Sequence, residues 1–284
     1  NPDVIANPFK FGYGVPLTVA VLAIAMLIGV WWVQFALLGA VGLLSLAFDS
    51  RSFFAVILLT IVILLWQKIA RVFVGRSLVL ATAGLVLASV AVYRLASYLV
   101  TSGVLGTAAA ERTIAQEQVS GSLLLGGRPE MAATWALFRE YPMGFGLGSP
   151  PTLPQILVAK EGMVSIGYDP FNGYVERYML GGRFELHSLA GDMWAHMGFA
   201  GLALAVVIVA VMLKGLLVQM RTENAAALVV FLVVMLIWNM AFSPLFASMG
   251  ATLAALAFVP ADRAAAGNEL PPPTGSPTAG CASA

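Results

Sequence analysis

Charged residues are scarce in this sequence, and that scarcity decides its class. Of 284 residues, 10% are charged and 60% are hydrophobic, whereas an ordinary soluble domain has about 25% charged residues. The apolar residues come in long runs, and runs of about 18 or more predict helices that span a membrane. The composition therefore excludes a soluble globular protein, and it makes a lipid bilayer the expected partner.

Other absences exclude further classes. The net charge is +1, so no overall field attracts nucleic acid, and no nucleic acid partner is expected. The single cysteine, Cys281, cannot form an intrachain disulfide, and the two histidines, His187 and His196, lack the spacing of a metal site. A Walker loop, a Gly-x-Ser-x-Gly motif and a DxD-type acidic pair are all absent. We therefore expect neither a metal nor a cofactor.

The apolar runs predict an all-α polytopic membrane protein with about seven transmembrane helices and one large extracytoplasmic loop. Residues 15–48 favour two short helices over one long tilted helix, because Trp31 and Trp32 near the middle suit a membrane–water interface. The chain divides into four predicted regions: the first helices (1–97), the large loop (98–192), the last helices (193–260) and a disordered tail (261–284). The first region ends in the spans 53–66 and 77–94. The third region holds the spans 193–213, 225–243 and 245–260.

Lys and Arg in the short loops predict the orientation. Loops 67–76 and 214–224 carry more basic than acidic residues, which places them in the cytoplasm. Alternation then places the Asp49–Ser52 turn and the 98–192 loop together on the outer face. The chain begins without an initiator Met or a signal-type cleavage pattern, so we expect it to be the C-terminal part of a longer protein.

Arg128 is the first candidate functional residue. Pro129 opens a helical pattern that ends at Tyr141, and a guanidinium beside free N–H groups at a helix N-terminus can bind an anion such as phosphate. The alternative is that Arg128 pairs with a loop carboxylate such as Glu130. The apolar face of this predicted helix suits the membrane surface or the bundle, and it holds Met131, Trp135 and Phe138.

Arg51 and His187 are the other candidates. Arg51 lies in a polar turn between spans, where Asp49 offers it a structural partner and where lone arginines usually extend toward the interface. His187 lies just before a span, where an imidazole can act as a general base near neutral pH. A loop histidine without a role is the alternative. Gly144–Gly148 has no strand before it and is predicted to be a turn rather than a dinucleotide loop.

Together these segments resemble the O-antigen ligase and O-antigen polymerase superfamily of bacterial envelope glycosyltransferases, over about residues 7–213. The matching segments are Asn7-Pro8, Ser50-Arg51-Ser52, Arg128 with Trp135 and Pro142-Met-Gly-Phe-Gly146, and Glu185-Leu-His187-Ser188 followed by Gly198 and Gly201. Ser188 stands where the family usually has Asn, and the second Asn of the family's Asn-Pro-Asn segment is missing.

The resemblance implies a GT-C-like protein of the bacterial inner membrane whose active site faces the periplasm. Such enzymes transfer a glycan from an undecaprenyl-diphosphate carrier to a hydroxyl of a glycan, lipid A-type or protein acceptor, without a metal or nucleotide sugar. It implies catalytic roles for His187, Arg128 and Arg51, and substrate binding by Arg51, Arg128, Trp135, Ser188 and Glu185. A transporter and a non-catalytic membrane subunit are the alternatives, but the charges cluster at the predicted outer face rather than at mid-membrane.

Overall fold

A computed structural model describes residues 7–73, six isolated positions between 83 and 98, and residues 128–221 and 226–267. Every regular element in these ranges is helical, which confirms the all-α prediction. The helices are α1 (Gly14–Ile28), α2 (Trp31–Ala47), α3 (Arg51–Phe73), α4 (Pro129–Glu140), α5 (Leu153–Val164), α6 (Leu189–Arg221), α7 (Ala227–Phe242) and α8 (Leu245–Gly267), with π-helical turns at Phe9–Tyr13 and Val175–Met179.

Three segments in the described ranges are long and apolar enough to cross a membrane: Phe9–Ile28, Arg51–Lys68 and Leu189–Met220. Three further apolar helices are shorter: Trp31–Ala47, Ala227–Phe242 and Leu245–Phe258. The span predicted for 77–94 lies almost entirely outside the described residues, as do most of the 98–127 segment and the tail beyond Gly267. About seven spans and an extracytoplasmic loop therefore remain predictions.

The stretch 15–48 forms two helices, as predicted. α1 ends at Gly29, whose φ of 73° lies in the left-handed region and whose N–H caps the carbonyls of Ala25 and Met26. α2 begins two residues later, and its first side chains, Trp31 and Trp32, are more than half exposed. The predicted break between the last two helices is also present, since Ser243 is extended and separates α7 from α8.

Contacts near the helix starts join α2, α3 and α7. Gln34 Oε1 accepts the Ala227 N–H at 2.9 Å, so α2 and α7 begin side by side. α3 packs against both α2 and α7. The Phe53 ring at the start of α3 lies 5.9 Å from the Phe231 ring, which is close to the start of α7.

Two further hydrogen bonds join the ends of elements. Asn7 Nδ2 donates to the Phe48 carbonyl at 2.6 Å, next to the α2–α3 turn. Ser188 Oγ donates to the Met240 carbonyl at 2.8 Å and so joins the start of α6 to the end of α7. The bundle has its own apolar core, drawn from α1, α2, α3, α6, α7 and α8.

A second core lies between α4, α5 and the segment that leads into α6. Here α4 and α5 cross so closely at Gly162 that a Cβ on this residue would lie 2.6 Å from both the Ala132 carbonyl oxygen and the Ala136 side chain. α5 begins with a capping box formed by Thr152 and Gln155. The buried members of this core are Ala133, Leu137, Ala159, Met163, Val175, Met179, Leu180, Phe184, Leu186, Trp194 and Ala195.

A kink at Gly198 joins the two cores. Its φ of 60° and ψ of −143° interrupt α6, leaving residues 199–221, about 34 Å long and sufficient to cross the hydrocarbon of a bilayer. The interruption releases the Ala195 carbonyl, which accepts the Phe145 N–H at 2.7 Å. Gly144 packs so closely that a Cβ there would lie 2.5 Å from the Trp194 carbonyl oxygen. The predicted glycine turn is therefore present and docked against the kink.

Two boundaries differ from the prediction. α6 starts at Leu189 rather than at 193, because the Ser188 hydroxyl accepts the Gly191 N–H at 3.1 Å and caps the helix. α8 continues through Asp262 to Gly267, beyond the predicted end of its span at 260. The first of these shifts matters for the site, because it places His187 immediately before the cap of α6.

Candidate functional site

Arg51 is the first residue of α3 and is tied to the preceding turn. Its Nε donates to Asp49 Oδ1 at 3.0 Å, and Asp49 adopts a φ of 47°. This confirms Asp49 as the structural partner of Arg51. The Arg51 side chain is 32% exposed, and a guanidinium has five N–H donors, so donors beyond the one bonded to Asp49 remain to meet an anion.

Arg128 precedes α4 as its N-cap residue, as predicted. Its guanidinium lies over the rings of Phe242 and Trp238, 5.0 and 5.9 Å from their centroids, and Nη1 is 3.5 Å from the Phe242 carbonyl oxygen. The predicted alternative, an ion pair with a loop carboxylate such as Glu130, is not found among the described residues. The aromatic rings hold its position instead.

Glu130 has a different partner. It is buried, and its Oε1 accepts a short hydrogen bond from the Tyr174 hydroxyl, while its Oε2 is buried and has no hydrogen-bond partner among the described residues. Burial and the Glu130 charge raise the pKa of Tyr174, and the nearby Arg128 charge partly opposes the rise. Tyr174 therefore stays protonated.

His187 lies beside Tyr174, with ring centroids 6.1 Å apart. Its φ of 54° is unusual for a residue that is not glycine. Nδ1 is 3.1 Å from the Glu185 carbonyl oxygen. Because a carbonyl only accepts, the neutral ring carries its proton on Nδ1 and its lone pair on Nε2.

Two polar residues beside His187 are committed to structure. The Ser188 hydroxyl caps α6 and donates its proton to Met240. Asp192 is fully buried, and its two oxygens accept the N–H groups of Leu186 and Leu245 at 2.6 and 2.7 Å. Both side chains fix the position of the 186–188 segment against α7 and α8.

The remaining predicted residues lie at the edges of this cluster. Glu185 pairs with Arg183, whose guanidinium is 4.6 Å from the Phe246 ring centroid. Glu185 and Arg183 also line a cleft of about 420 Å³ beside the π-helical turn. Trp135 is 63% exposed and stacks on Phe138, away from His187.

The structure thus brings Arg128, Glu130, Tyr174, Glu185 and His187 together and leaves Trp135 outside. No described contact joins Arg51 to the cluster. In the described ranges, no group of three or more His, Cys, Asp or Glu residues is placed to hold a metal ion.

Sequence reasoning missed Tyr174, Trp238 and Phe242. Tyr174 has no local signal, because its role depends on a carboxylate 44 positions earlier. Trp238 and Phe242 are spaced four apart at the end of a span, just before Ser243-Pro244. That spacing offers one helix face to a cation, and it is the signal that points to them.

Comparison with protein families, with curated proteins and with solved structures finds no match for this chain.

Proposed function

We propose that this protein transfers a glycan from an undecaprenyl-diphosphate-linked donor to an acceptor hydroxyl at the outer face of the bacterial cytoplasmic membrane. The proposal rests on the sequence resemblance. The observation that supports it most is that Tyr174 joins the Arg128 end of α4 to His187: its hydroxyl bonds to Glu130, two residues after Arg128, and its ring centroid lies 6.1 Å from that of the imidazole. This arrangement pairs a fixed cation with an imidazole beside an apolar helical bundle.

Arg128 would bind the diphosphate of the donor. Its guanidinium uses a flat face against Trp238 and Phe242, and that contact leaves N–H donors at the edge of the group. Two parallel N–H donors match two phosphate oxygens. The loop charges predict that Arg51 lies on the same outer face. It would add a second cation, and the two would stabilise the charge that develops on the departing diphosphate.

His187 would act as the general base. Its Nε2 lone pair takes the proton of the acceptor hydroxyl while the hydroxyl oxygen bonds to the anomeric carbon. The bond from that carbon to the diphosphate oxygen breaks at the same time, and the diphosphate leaves with the electron pair. A positioned base contributes a factor of about 10²–10⁴ to such a step. The acceptor itself, whether glycan, lipid A-type or protein, defines the choice between polymerase and ligase.

Transfer by the full chain in proteoliposomes, with an undecaprenyl-diphosphate-linked glycan as donor, tests the proposal. His187→Ala is expected to abolish transfer and to leave donor binding intact. Arg128→Lys is expected to lower turnover at least about tenfold, because lysine lacks the two-pronged contact. Arg139→Lys, an exposed position on the same helix, is the matched control and should transfer at the wild-type rate.

Two results would contradict the proposal. Full activity in His187→Ala would remove the general base. Nearly full activity in Arg128→Lys would reduce that residue to a structural cation. Passage of a solute across the vesicle without any new glycosidic bond would instead support a transporter.

A further inference from the structure

The outward face of α4 is apolar, and no described residue covers it. Trp135 is 63% exposed and Met131 is 38% exposed, while Ala133 and Leu137 on the opposite face are fully buried against the second core. Met143, in the turn that follows, is 74% exposed. Contiguous apolar surface of this kind on a soluble protein marks a contact with another molecule or with a membrane.

This face continues the apolar surface of a membrane span. The Phe138 ring, which stacks on Trp135, lies 6.2 Å from the Phe199 ring at the start of the 199–221 segment of α6. Phe199 is 52% exposed, and further along the same segment Val206 and Val207 are 68% and 56% exposed. This segment belongs to a helix long and apolar enough to cross a membrane, where exposed apolar side chains would meet lipid. Its exposed apolar surface continues onto α4.

The turn after α4 strengthens this continuity. Gly198, the residue before Phe199, packs directly against Met143. A Cβ on Gly198 would lie 2.5 Å from the Met143 carbonyl oxygen. The exposed charged residues of α4, Arg139 and Glu140, lie at its C-terminal end.

We propose that the outward face of α4, together with Met143, lies in the head-group layer of the bilayer. Trp135 fits this layer because tryptophan places an apolar ring and an N–H group at the boundary between lipid and water. Arg139 can bury its aliphatic stem and keep its charge among the head groups. α4 is about 18 Å long, so its embedding would hold Arg128, at its N-terminus, at the level of lipid head groups.

Position-specific quenching in vesicles tests this. Single cysteines replace Trp135 or Met131 in the full chain carrying Cys281→Ser, and each is labelled with an environment-sensitive fluorophore. Glu161→Cys, at an exposed polar position on α5, is the matched control. The vesicles contain phosphatidylethanolamine, phosphatidylglycerol and a lipid with a nitroxide near the head group, and iodide serves as the aqueous quencher.

The labels at 131 and 135 are expected to be quenched by the nitroxide lipid at least about threefold more than the label at 161, since an interfacial helix lies about 5–10 Å deep. Iodide should show the reverse order. Equal iodide quenching at 135 and 161 would overturn the proposal. So would protection that grows with the protein-to-lipid ratio, because that pattern indicates a second copy. If Trp135→Cys lowers the melting temperature, the label at position 131 provides the same measurement in a second variant.

Discussion

The two hydrophobic cores of this protein are built differently. The bundle core consists almost entirely of aliphatic side chains from long helices, and its polar ties lie at helix ends, such as Gln34 to Ala227. The second core combines short helices with aromatic rings, among them Phe145, which stacks on Phe184 with centroids 4.0 Å apart. The bundle therefore fixes the positions of the helix ends, and the second core fixes the orientations of individual polar side chains.

Backbone conformation shows the same contrast. In the bundle helices and their turns, the described residues with positive φ are Gly29 and Asp49. In the second core and its junction with α6, they are Gly144, Gly146, Gly148, Gly167, Gly173, His187 and Gly198. Unusual backbone conformations persist where the surrounding structure holds them, and they are often found at functional sites. Here His187 itself belongs to the cluster, and Gly173 directly precedes Tyr174.

The largest difference in stability between a substitution at the second core and one in the bundle is expected at Gly198. Alanine there would meet the Met143 carbonyl oxygen at 2.5 Å and would have to adopt a φ of 60°. We expect Gly198→Ala to lower the free energy of unfolding by about 3 kcal/mol or more. Thermal unfolding in detergent measures this. Gly39→Ala in α2, where a Cβ meets nothing within 4 Å, is the control and should be neutral or stabilising. Equal losses in both variants would show that the kink adds no constraint.

The next effect concerns the buried pair of Glu130 and Tyr174. Tyr174→Phe leaves a buried carboxylate without its donor, which is expected to cost about 1–3 kcal/mol of folding free energy. Replacing both residues, with Glu130→Met added, removes the buried charge and should recover at least about 1 kcal/mol of that loss. A double-mutant cycle on unfolding in detergent measures the coupling. Additive losses would mean that the hydrogen bond does not couple the two residues.

Local signals predicted the parts of this fold that depend on local chemistry. Trp31 marked the break in the first apolar stretch, Pro129 the start of α4, and Ser243 with Pro244 the end of α7, because each acts within a few residues of itself. The Glu130–Tyr174 bond and the docking of Gly144 at the Gly198 kink were not predicted, since both depend on long-range packing. The charge count placed Arg128 and His187 in one loop, but only packing places them beside one tyrosine.

Ser188 offers a smaller test at the junction of the two cores. Ser188→Ala removes the cap of α6 and the bond to Met240, and we expect a loss of about 1 kcal/mol. Ser188→Asn should recover most of it, because an amide offers an oxygen to the Gly191 N–H and an N–H to the Met240 carbonyl. Denaturant-induced unfolding compares the three proteins. An asparagine variant as unstable as the alanine variant would show that the hydroxyl has a role other than capping.

The smallest effect is expected at the ion pair of Lys160 and Glu176, which joins α5 to the π-helical turn of the second core. The hydrogen bond from Lys160 holds the pKa of Glu176 below its ordinary value of 4.5. A lowered carboxyl pKa stabilises the folded state at pH values above that ordinary value, and the stabilisation is lost as the pH falls through the lowered pKa.

Because the Glu176 side chain is 46% exposed, Glu176→Gln should cost less than about 1 kcal/mol of folding free energy at pH 7. The difference between Glu176→Gln and the wild type should shrink as the pH falls below 4.5 and should also shrink in high salt. Unfolding measured from pH 7 down to pH 3 follows it, with Glu161→Gln, an exposed position on α5, as a control that should show no such convergence. A Glu176→Gln difference that stays constant over this range would mean that shape, rather than charge, joins α5 to the turn.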